Sequence, residues 1–435
     1  QMKEDMGKIQ RLTYIRDLHD RIGDTLMMLT LIPFFDRNMS VSAYSLFTRK
    51  NNFLMNPSLL GSRQFDGAAY VDGLELIQEL GTTTLSGGKP IFVSLNNISI
   101  FSSLESECKN TNHAPILLID QTFPPVSMYT DRIRELREFG YHFAIRNLPV
   151  HCYEDYAPIL SQMDYILIDC QKIDAVKASF YFRKLYPDIC ICASNIPDTE
   201  TFGKLSPAET ISLFEGTFFR MPVTRGEHKV SPLKINYISL LNLIEEDDFD
   251  LTKAADIISQ DTALIISLLR LANTRSFNSE ITSVRVAVSM LGQKDLTRWI
   301  QTTVIEKLCS DKPNELMRLS LLRAKFAENL APVFGMAMRS QELFLTGLFS
   351  ILDIILDCSM EEALSMVRVS GKIRTALLEH TGSLAEVLHF IVKYESAEWQ
   401  EVSRQLVLKN IEIPDVSHAW VSSLQWYAKL ISMNE

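Results

Sequence analysis

The stretch that decides the fold is HFAIRNLPVHCYEDYAPILSQMDYILID, residues 142–169. It begins and ends with short, nearly all-apolar runs, HFAIR (142–146) and YILID (165–169). Such runs are typical of parallel strands that are buried on both faces. Four more runs of this kind lie on either side of it along the chain: IFVSL (91–95), ILLID (116–120), ICICA (189–193) and ISLFE (211–215).

Helical segments separate these runs, for example residues 131–139 and 175–185. Strand and helix thus alternate at a spacing of roughly 20–30 residues, which predicts an α/β sheet or barrel. Before the first run, residues 29–34 and 42–48 flank the turn Asp36-Arg37-Asn38 and predict an opening hairpin.

The character of the chain changes near residue 230. Residues 232–432 contain almost no β-rich run, and apolar pairs recur there at helical spacing, so this half is predicted to be one all-α domain. Residues 224–234 form the predicted linker. At the other end, residues 1–26 are predicted to form a charged helix with an apolar stripe, which either packs on its own domain or pairs two copies of the chain.

Composition limits the functional classes. Hydrophobic residues make up 46% of the 435 residues and the formal net charge is −10, which fits a globular protein and argues against a nucleic-acid scaffold. No apolar run approaches the roughly 18 residues of a membrane span, and no signal-peptide pattern begins the sequence. Seven scattered cysteines favour reduced thiols in the cytoplasm. We expect Cys190 and Cys192 to be core residues on opposite faces of a strand.

The predicted strand ends carry polar side chains, and in a (β/α) barrel these converge on one face. A two-metal hydrolase needs several carboxylates there. Here an arginine stands among few acids, so the pattern predicts a site without metals. The residues concerned are Ser45, Ser94, Asp120, Arg146, Asn147, Asp169, Ser194 and Glu215.

At this point the residues resemble a known family. IPFFDRNMSVSAYSLFTR (32–49) is similar to the opening of EAL domains, the cyclic-di-GMP phosphodiesterase barrels, and above all to those joined to an HDOD domain, a modified HD-GYP module. The family's signature metal-binding glutamate falls on Ser45, whereas the arginine of the motif is kept as Arg49.

The correspondence continues along the barrel. The family's asparagine ligand falls on Ser94, its Leu-Glu strand end on Asp120, and its Asp-Asp pair on Arg146-Asn147. The Lys-x-Asp strand end keeps its aspartate as Asp169, a later glutamate falls on Ser194, and the closing Gln-Gly pattern begins with Glu215.

The second half resembles HDOD over its whole length. ISQDTALIISLLRLANT (258–274) and ITSVRVAVSMLGQKDLTRWI (281–300) carry the similarity. The resemblance implies a fold of α/β plus all-α class, a (β/α)8 TIM-like barrel followed by a helical HDOD domain. The expected domains are an N-terminal helix (1–26), a degenerate EAL-type barrel (27–223), a linker (224–234) and the HDOD domain (235–435).

The resemblance implies a catalytically inactive signal-transduction adaptor that needs no cofactor or metal and acts by binding a protein partner through its HDOD domain. A homodimer is expected, without nucleic-acid binding and without a membrane span. The alternative is a receptor that binds cyclic di-GMP without hydrolysing it. For the mouth itself, we expect Arg146 to form a salt bridge with Asp120 or Asp169, taking over the charge-neutralising role of the metals.

Overall fold

The computed structural model describes residues 27–50, 71–102, 104, 115–220, 232–246, 249–275 and 281–434. The predicted helix over 1–26 and most of the predicted linker lie outside these residues. Within the described part, Pro232, Leu233 and Lys234 open a helix instead of closing the linker.

Eight strands form a closed barrel in which each strand pairs with the next along the chain. Strands β2 to β8 are parallel, whereas β1 runs antiparallel to both β2 and β8. The predicted opening hairpin is therefore confirmed, as is the predicted barrel. The strands are β1 Met27–Phe35, β2 Val41–Lys50, β3 Ile91–Ser94, β4 Ile116–Ile119, β5 His142–Arg146, β6 Tyr165–Asp169, β7 Cys190–Ile196 and β8 Leu213–Gly216.

Five α-helices of the described residues accompany the barrel strands. They are α1 Asp72–Ser86, α2 Ser127–Glu138, α3 Ala157–Leu160, α4 Ala175–Leu185 and α5 Thr199–Leu205. Their apolar faces are buried, as Ile133 and Leu136 on α2 illustrate. Aspartates start two of them, because the side chains of Asp174 and Asp198 accept hydrogen bonds from backbone N–H groups of the first turn.

Apolar side chains fill the barrel interior. Phe34, Phe92, Leu118 and Leu167 belong to one buried cluster, and the rings of Phe34 and Phe92 lie 4.7 Å apart. Cys192 belongs to this cluster and Cys190 packs against it. Our prediction that the two cysteines face opposite sides is wrong, because residues two positions apart on a strand share a face.

After the barrel the described chain is helical. The helices are α6 Pro232–Ile244, α7 Leu251–Ile258, α8 Thr262–Arg275, α9 Val284–Leu308, α10 Asn314–Leu330, α11 Ser340–Phe349, α12 Leu352–Leu356, α13 Met360–Met366, α14 Gly371–Leu378, α15 Ser383–Glu395, α16 Trp399–Lys409 and α17 Ile413–Asn434. Helix α9 contains a kink at Gly292, whose φ of 70° is left-handed. The predicted all-α second half is confirmed.

The chain divides into two compact units, each built from three separate segments of the sequence. One unit comprises residues 1–219, 332–337 and 390–428, and the other comprises 220–331, 338–389 and 429–435. Our expected helical domain of 235–435 differs from this division. The physical reason is that residues 390–428 supply hydrogen-bond partners to strand β1, described below.

Strand β1 pairs with β8 only at Phe34 and Phe35, so its first half has β2 on one side alone. On the other side the N–H of Leu29 donates to the hydroxyl of Tyr394 at 3.1 Å. The hydroxyl of Ser417 donates to the carbonyl of Met27. The C-terminal helices thereby satisfy backbone groups that the barrel itself leaves unpaired.

Candidate functional site

Strand alternation places a ring of polar side chains directly above the apolar core. Ala144 and Leu167 belong to the inward-facing cluster, and Arg146 and Asp169 follow them at the next inward position. The same step of two residues leads from the other cluster members to the rest of the ring. The ring contains Ser45, Ser94, Asp120, Arg146, Asp169, Ser194 and Glu215, so the structure brings the predicted site residues together.

Asp169 is a buried carboxylate whose oxygens already have donors. The side-chain amide of Asn195 donates to Oδ2 at 2.9 Å and the backbone N–H of Gln171 donates to Oδ1 at 3.1 Å. The ammonium of Lys172 lies 3.2 Å from Oδ2. This carboxylate therefore acts as an acceptor that fixes the loop after β6 and the end of β7.

Glu215 is buried at 2% exposure, and its Oε2 has no hydrogen-bond partner among the described residues. Burial raises the pKa of this carboxyl above its usual range. The nearby Arg146 guanidinium and a backbone N–H of Asn195 counter that rise, whereas the charge of Asp169 adds to it. Glu215 is thus held in surroundings that favour its neutral form.

Arg146 ends β5, between the strands that lead to Asp120 and Asp169. Its guanidinium carbon lies 5.3 Å from the centre of the Phe47 ring. Its Nε is buried and has no hydrogen-bond partner among the described residues. The guanidinium is therefore packed against an aromatic ring, and its buried Nε is a donor without a partner among the described residues.

The predicted salt bridge does not form. No ion pair within 4.0 Å joins Arg146 to Asp120 or Asp169. Asp120 instead accepts hydrogen bonds from the backbone N–H of Thr122 at 2.8 Å and from its hydroxyl at 2.6 Å. The turn after β4 and the donors around Asp169 satisfy both carboxylates, so neither needs the guanidinium.

A cleft of about 440 Å³ opens beside the ring, above β5 and β6. Polar groups of Asn147, Asp169 and Lys172 line it together with apolar Leu148 and Ile173. Asn147 is exposed and has a left-handed φ of 55°, a conformation that asparagine tolerates better than most residues. Asp169 is the ring residue that lines this cleft, which has mixed polarity and lies at the carboxyl ends of parallel strands.

The remaining predicted positions include two serines of the ring, Ser45 and Ser194, and Arg49 further along β2. Ser45 is buried and its hydroxyl has no partner among the described residues. Ser194 is also buried, and its carbonyl accepts from the N–H of Cys170. Arg49 lies on the same face of β2 as Ser45 by alternation.

Sequence reasoning missed two contributors to the site, Lys172 and Phe47, and the hydrogen bond made by a third, Asn195. Lys172 and Phe47 each carried a usable signal. Lys172 stands three residues after Asp169, and Phe47 stands two residues after Ser45 on the same strand face. The hydrogen bond of Asn195 could not be predicted locally, because its partner Asp169 lies on the neighbouring strand and is distant in sequence.

The family to which the barrel is similar uses divalent metals, and the residues present do not fit a two-metal centre. Among the described residues, no group of three or more His, Cys, Asp or Glu side chains could hold a metal ion. The mouth offers hydroxyls at three ring positions and a cation at a fourth, and hard divalent ions prefer anionic oxygen ligands.

Comparison with known proteins identifies the class. Residues 231–395 match the family model of the HDOD domain. A curated relative from Vibrio cholerae, the cyclic di-GMP phosphodiesterase CdgJ, is 26% identical over 370 residues, covering 83% of this chain and 84% of that protein. YuxH of Bacillus subtilis, an uncharacterized protein, is 24% identical over 409 residues, covering 92% of this chain and 97% of the relative.

Among solved structures, LapD of Vibrio cholerae, in an S helix-GGDEF-EAL form bound to c-di-GMP, is 16% identical with a TM-score of 0.35, over 47% of this chain and 56% of LapD. That similarity is too low to support the fold, which the strand pairing establishes by itself. The chain combines an eight-stranded barrel with an HDOD domain. Its recognition as an EAL-HDOD two-domain protein is confirmed.

One prediction is contradicted. We expected a protein that is not an enzyme, yet CdgJ, which aligns with most of this chain, is named a cyclic di-GMP phosphodiesterase. The prediction is wrong, because the missing ligand residues alone do not establish inactivity. In the part of the chain that the structure describes, no helix has the length and apolar character needed to span a membrane.

Proposed function

We propose that this chain is a signalling adaptor of the cyclic-di-GMP context, whose barrel mouth binds cyclic di-GMP and whose helical HDOD domain binds a protein partner. The observation that carries the first half is Arg146, a ring residue whose buried Nε has no hydrogen-bond partner among the described residues. The name of CdgJ supplies the ligand class, since a phosphodiester is an anion that guanidinium recognises well.

Charge in the mouth favours this ligand. Lys172 pairs with the carboxylate of Asp169, and burial favours the neutral form of Glu215. The guanidinium of Arg146 therefore places a positive charge in the ring beside a carboxyl that tends to be neutral. An anionic phosphodiester complements that charge.

Calorimetric titration of the full chain with cyclic di-GMP tests this half, with cyclic di-AMP as the matched ligand that differs only in its bases. Saturable binding with a dissociation constant of about 1–10 μM is expected, which corresponds to roughly 7–8 kcal/mol. A dissociation constant of about 100 μM corresponds to a binding free energy of about 5.5 kcal/mol. If ligand at that concentration gives no saturable heat, the proposal is rejected. Formation of the linear dinucleotide is followed in parallel, because CdgJ is named a phosphodiesterase.

The adaptor half rests on the helical unit. Four large apolar side chains stay exposed on α6, α8 and α9: Ile235, Ile266, Val286 and Met290. A contiguous apolar patch is typical of protein-binding surfaces, and these four side chains are the candidates for one on the helical unit. The acidic sequence EEDDFD (245–250) near the start of this unit would repel nucleic-acid phosphates within a Debye length of about 8–10 Å.

Cross-linking of the full chain in its native cell tests the adaptor role. A partner captured in stoichiometric amount should be lost in Ile266→Glu and kept in Phe180→Glu, which changes an equally exposed apolar residue on the barrel helix α4. Equal capture by both variants would count against the helical unit. Retention of DNA by the wild-type chain in a gel shift would count against a protein partner.

Dimerisation stays a proposal based on the apolar stripe of residues 1–26, which lie outside the described residues. Light scattering should give twice the chain mass of 49.5 kDa. A single chain mass at tens of micromolar would reject it.

A further inference from the structure

We propose that the barrel mouth holds the phosphate of its ligand directly through the Arg146 guanidinium, without a divalent cation. The inference rests on the proposed function, because it assumes that the ligand carries a phosphodiester. It goes beyond that function by assigning the recognising group and by removing the metal requirement of binding.

The first support is the state of the guanidinium. Nε of Arg146 is buried and lacks a partner, and no carboxylate of the ring lies within 4.0 Å of the side chain. A buried donor without a partner destabilises the folded chain, and a phosphate oxygen placed against it would recover that cost. Contact with the Phe47 ring holds the guanidinium in place and lowers the entropy lost on binding.

The second support is the supply of further donors. The Ser45 hydroxyl is buried and also lacks a partner among the described residues. It stands in the same ring as Arg146, one step above the apolar core. A guanidinium and a neutral hydroxyl together can donate to the non-bridging oxygens of a phosphodiester, whereas a metal would need anionic oxygens at these positions.

The third support is that the carboxylate of Asp169 is already engaged by other groups. Both oxygens of Asp169 already accept from Asn195 and Gln171, with Lys172 beside them. A divalent ion here would have to displace these donors and lie near two cations, whose repulsion is strong at short range in a partly buried site. The guanidinium of Arg146 would therefore offset the negative charge of the phosphate, as a metal ion otherwise would.

Binding of cyclic di-GMP to the full chain, measured once with EDTA and once with Mg²⁺ or Mn²⁺ in millimolar excess, tests the inference. The two dissociation constants should agree within about twofold, since RT ln 2 is only about 0.4 kcal/mol. Arg146→Met, which keeps an apolar stem over Phe47, should weaken binding by about 10–100-fold, the loss expected for a charged hydrogen bond. The dissociation constant of Arg146→Lys should lie between those of the wild type and Arg146→Met. Lysine keeps the positive charge but lacks the paired N–H donors of the guanidinium.

Arg134→Met on helix α2 is the matched control, since that arginine is exposed and pairs at the surface with Asp131. It should leave the dissociation constant unchanged. Thermal unfolding of each variant shows that a loss of binding is not a loss of fold.

The outcomes separate the two proposals. Binding that appears only with the divalent cation overturns the direct arginine contact and leaves the proposed function standing. Metal-independent binding that Arg146→Met does not weaken also overturns the contact. Absence of binding under both conditions overturns the proposed function itself.

Discussion

At the scale of single residues, Glu215 carries the clearest electrostatic consequence. Burial raises its pKa above the value of the unfolded chain. A raised pKa means that the stability contributed by this group is complete below the unfolded pKa of about 4.3 and is lost as the pH rises through the folded pKa. The free energy of unfolding should therefore fall as the pH rises from about 4.3 through the raised pKa of Glu215 in the folded chain.

Glu215→Gln removes the charge and should remove this loss. At pH 8 the variant should melt above the wild type, by about 2–4 °C for each kcal/mol recovered in a domain of this size. The difference should vanish towards pH 4, where both side chains are neutral. Glu200→Gln, an exposed surface pair with Lys204, is the control and should change the melting temperature little at either pH. A Glu215→Gln variant that melts lower than the wild type at pH 8 would contradict the assignment.

The sequence pattern predicted which residues share the ring, but not which hydrogen bonds and ion pairs they form. Alternation and the parallel strands placed Ser45, Arg146 and Asp169 at one mouth, because a period of two needs no partner information. The predicted Arg146 salt bridge failed because Asp120 is satisfied by its own turn and Asp169 by Asn195 from the next strand. Such competing donors come from loops whose course the sequence pattern does not determine.

At the scale of elements, Gly216 fixes the approach of β8 to β7. A Cβ built there would lie 2.2 Å from the carbonyl oxygen of Ile196 and 2.6 Å from its nitrogen, closer than any real contact. Gly216→Ala should therefore force the two strands apart and lower the free energy of unfolding by about 1–3 kcal/mol or more.

Gly203→Ala is the matched control. Gly203 lies in helix α5 and an added Cβ there meets nothing within 4 Å. The variant should gain about 0.4–1 kcal/mol, because the unfolded chain loses freedom. Urea unfolding measures both, and equal signs for the two substitutions would contradict the close approach.

The contact between β1 and α15 is the second element-scale feature. Tyr394 is fully buried and its hydroxyl accepts the N–H of Leu29. Tyr394→Phe should leave that N–H buried without a partner and cost about 1–3 kcal/mol in urea unfolding. Tyr186→Phe on the barrel should cost less, since it removes a half-buried hydroxyl with no hydrogen bond among the described residues. Equal costs would show that the Leu29 contact adds nothing.

At the scale of the whole molecule, the barrel unit is completed by residues that lie far from it in sequence. The sequence pattern predicted both halves and the change near residue 230, because periodicity and β-rich runs are local signals. It assigned residues 390–428 to the helical half, since they are helical. Residues 390–428 belong to the barrel unit because of tertiary contacts, among them those of Tyr394, Glu395 and Ser417 with β1. The sequence pattern does not contain that information.

Removal of residues 390–435 should therefore loosen the barrel at its first strand. The N–H of Leu29, the carbonyl of Met27 and the hydroxyl of Thr30 would all lose their partners, at about 1–3 kcal/mol for each group that stays buried. Hydrogen exchange measured across β1 should rise sharply in this fragment, because local opening becomes easier when few contacts hold a strand. A shorter truncation that removes residues 429–435 takes away only part of the other unit and should leave β1 protected. If β1 exchanges equally slowly in both truncated chains, the barrel closes without its C-terminal helices.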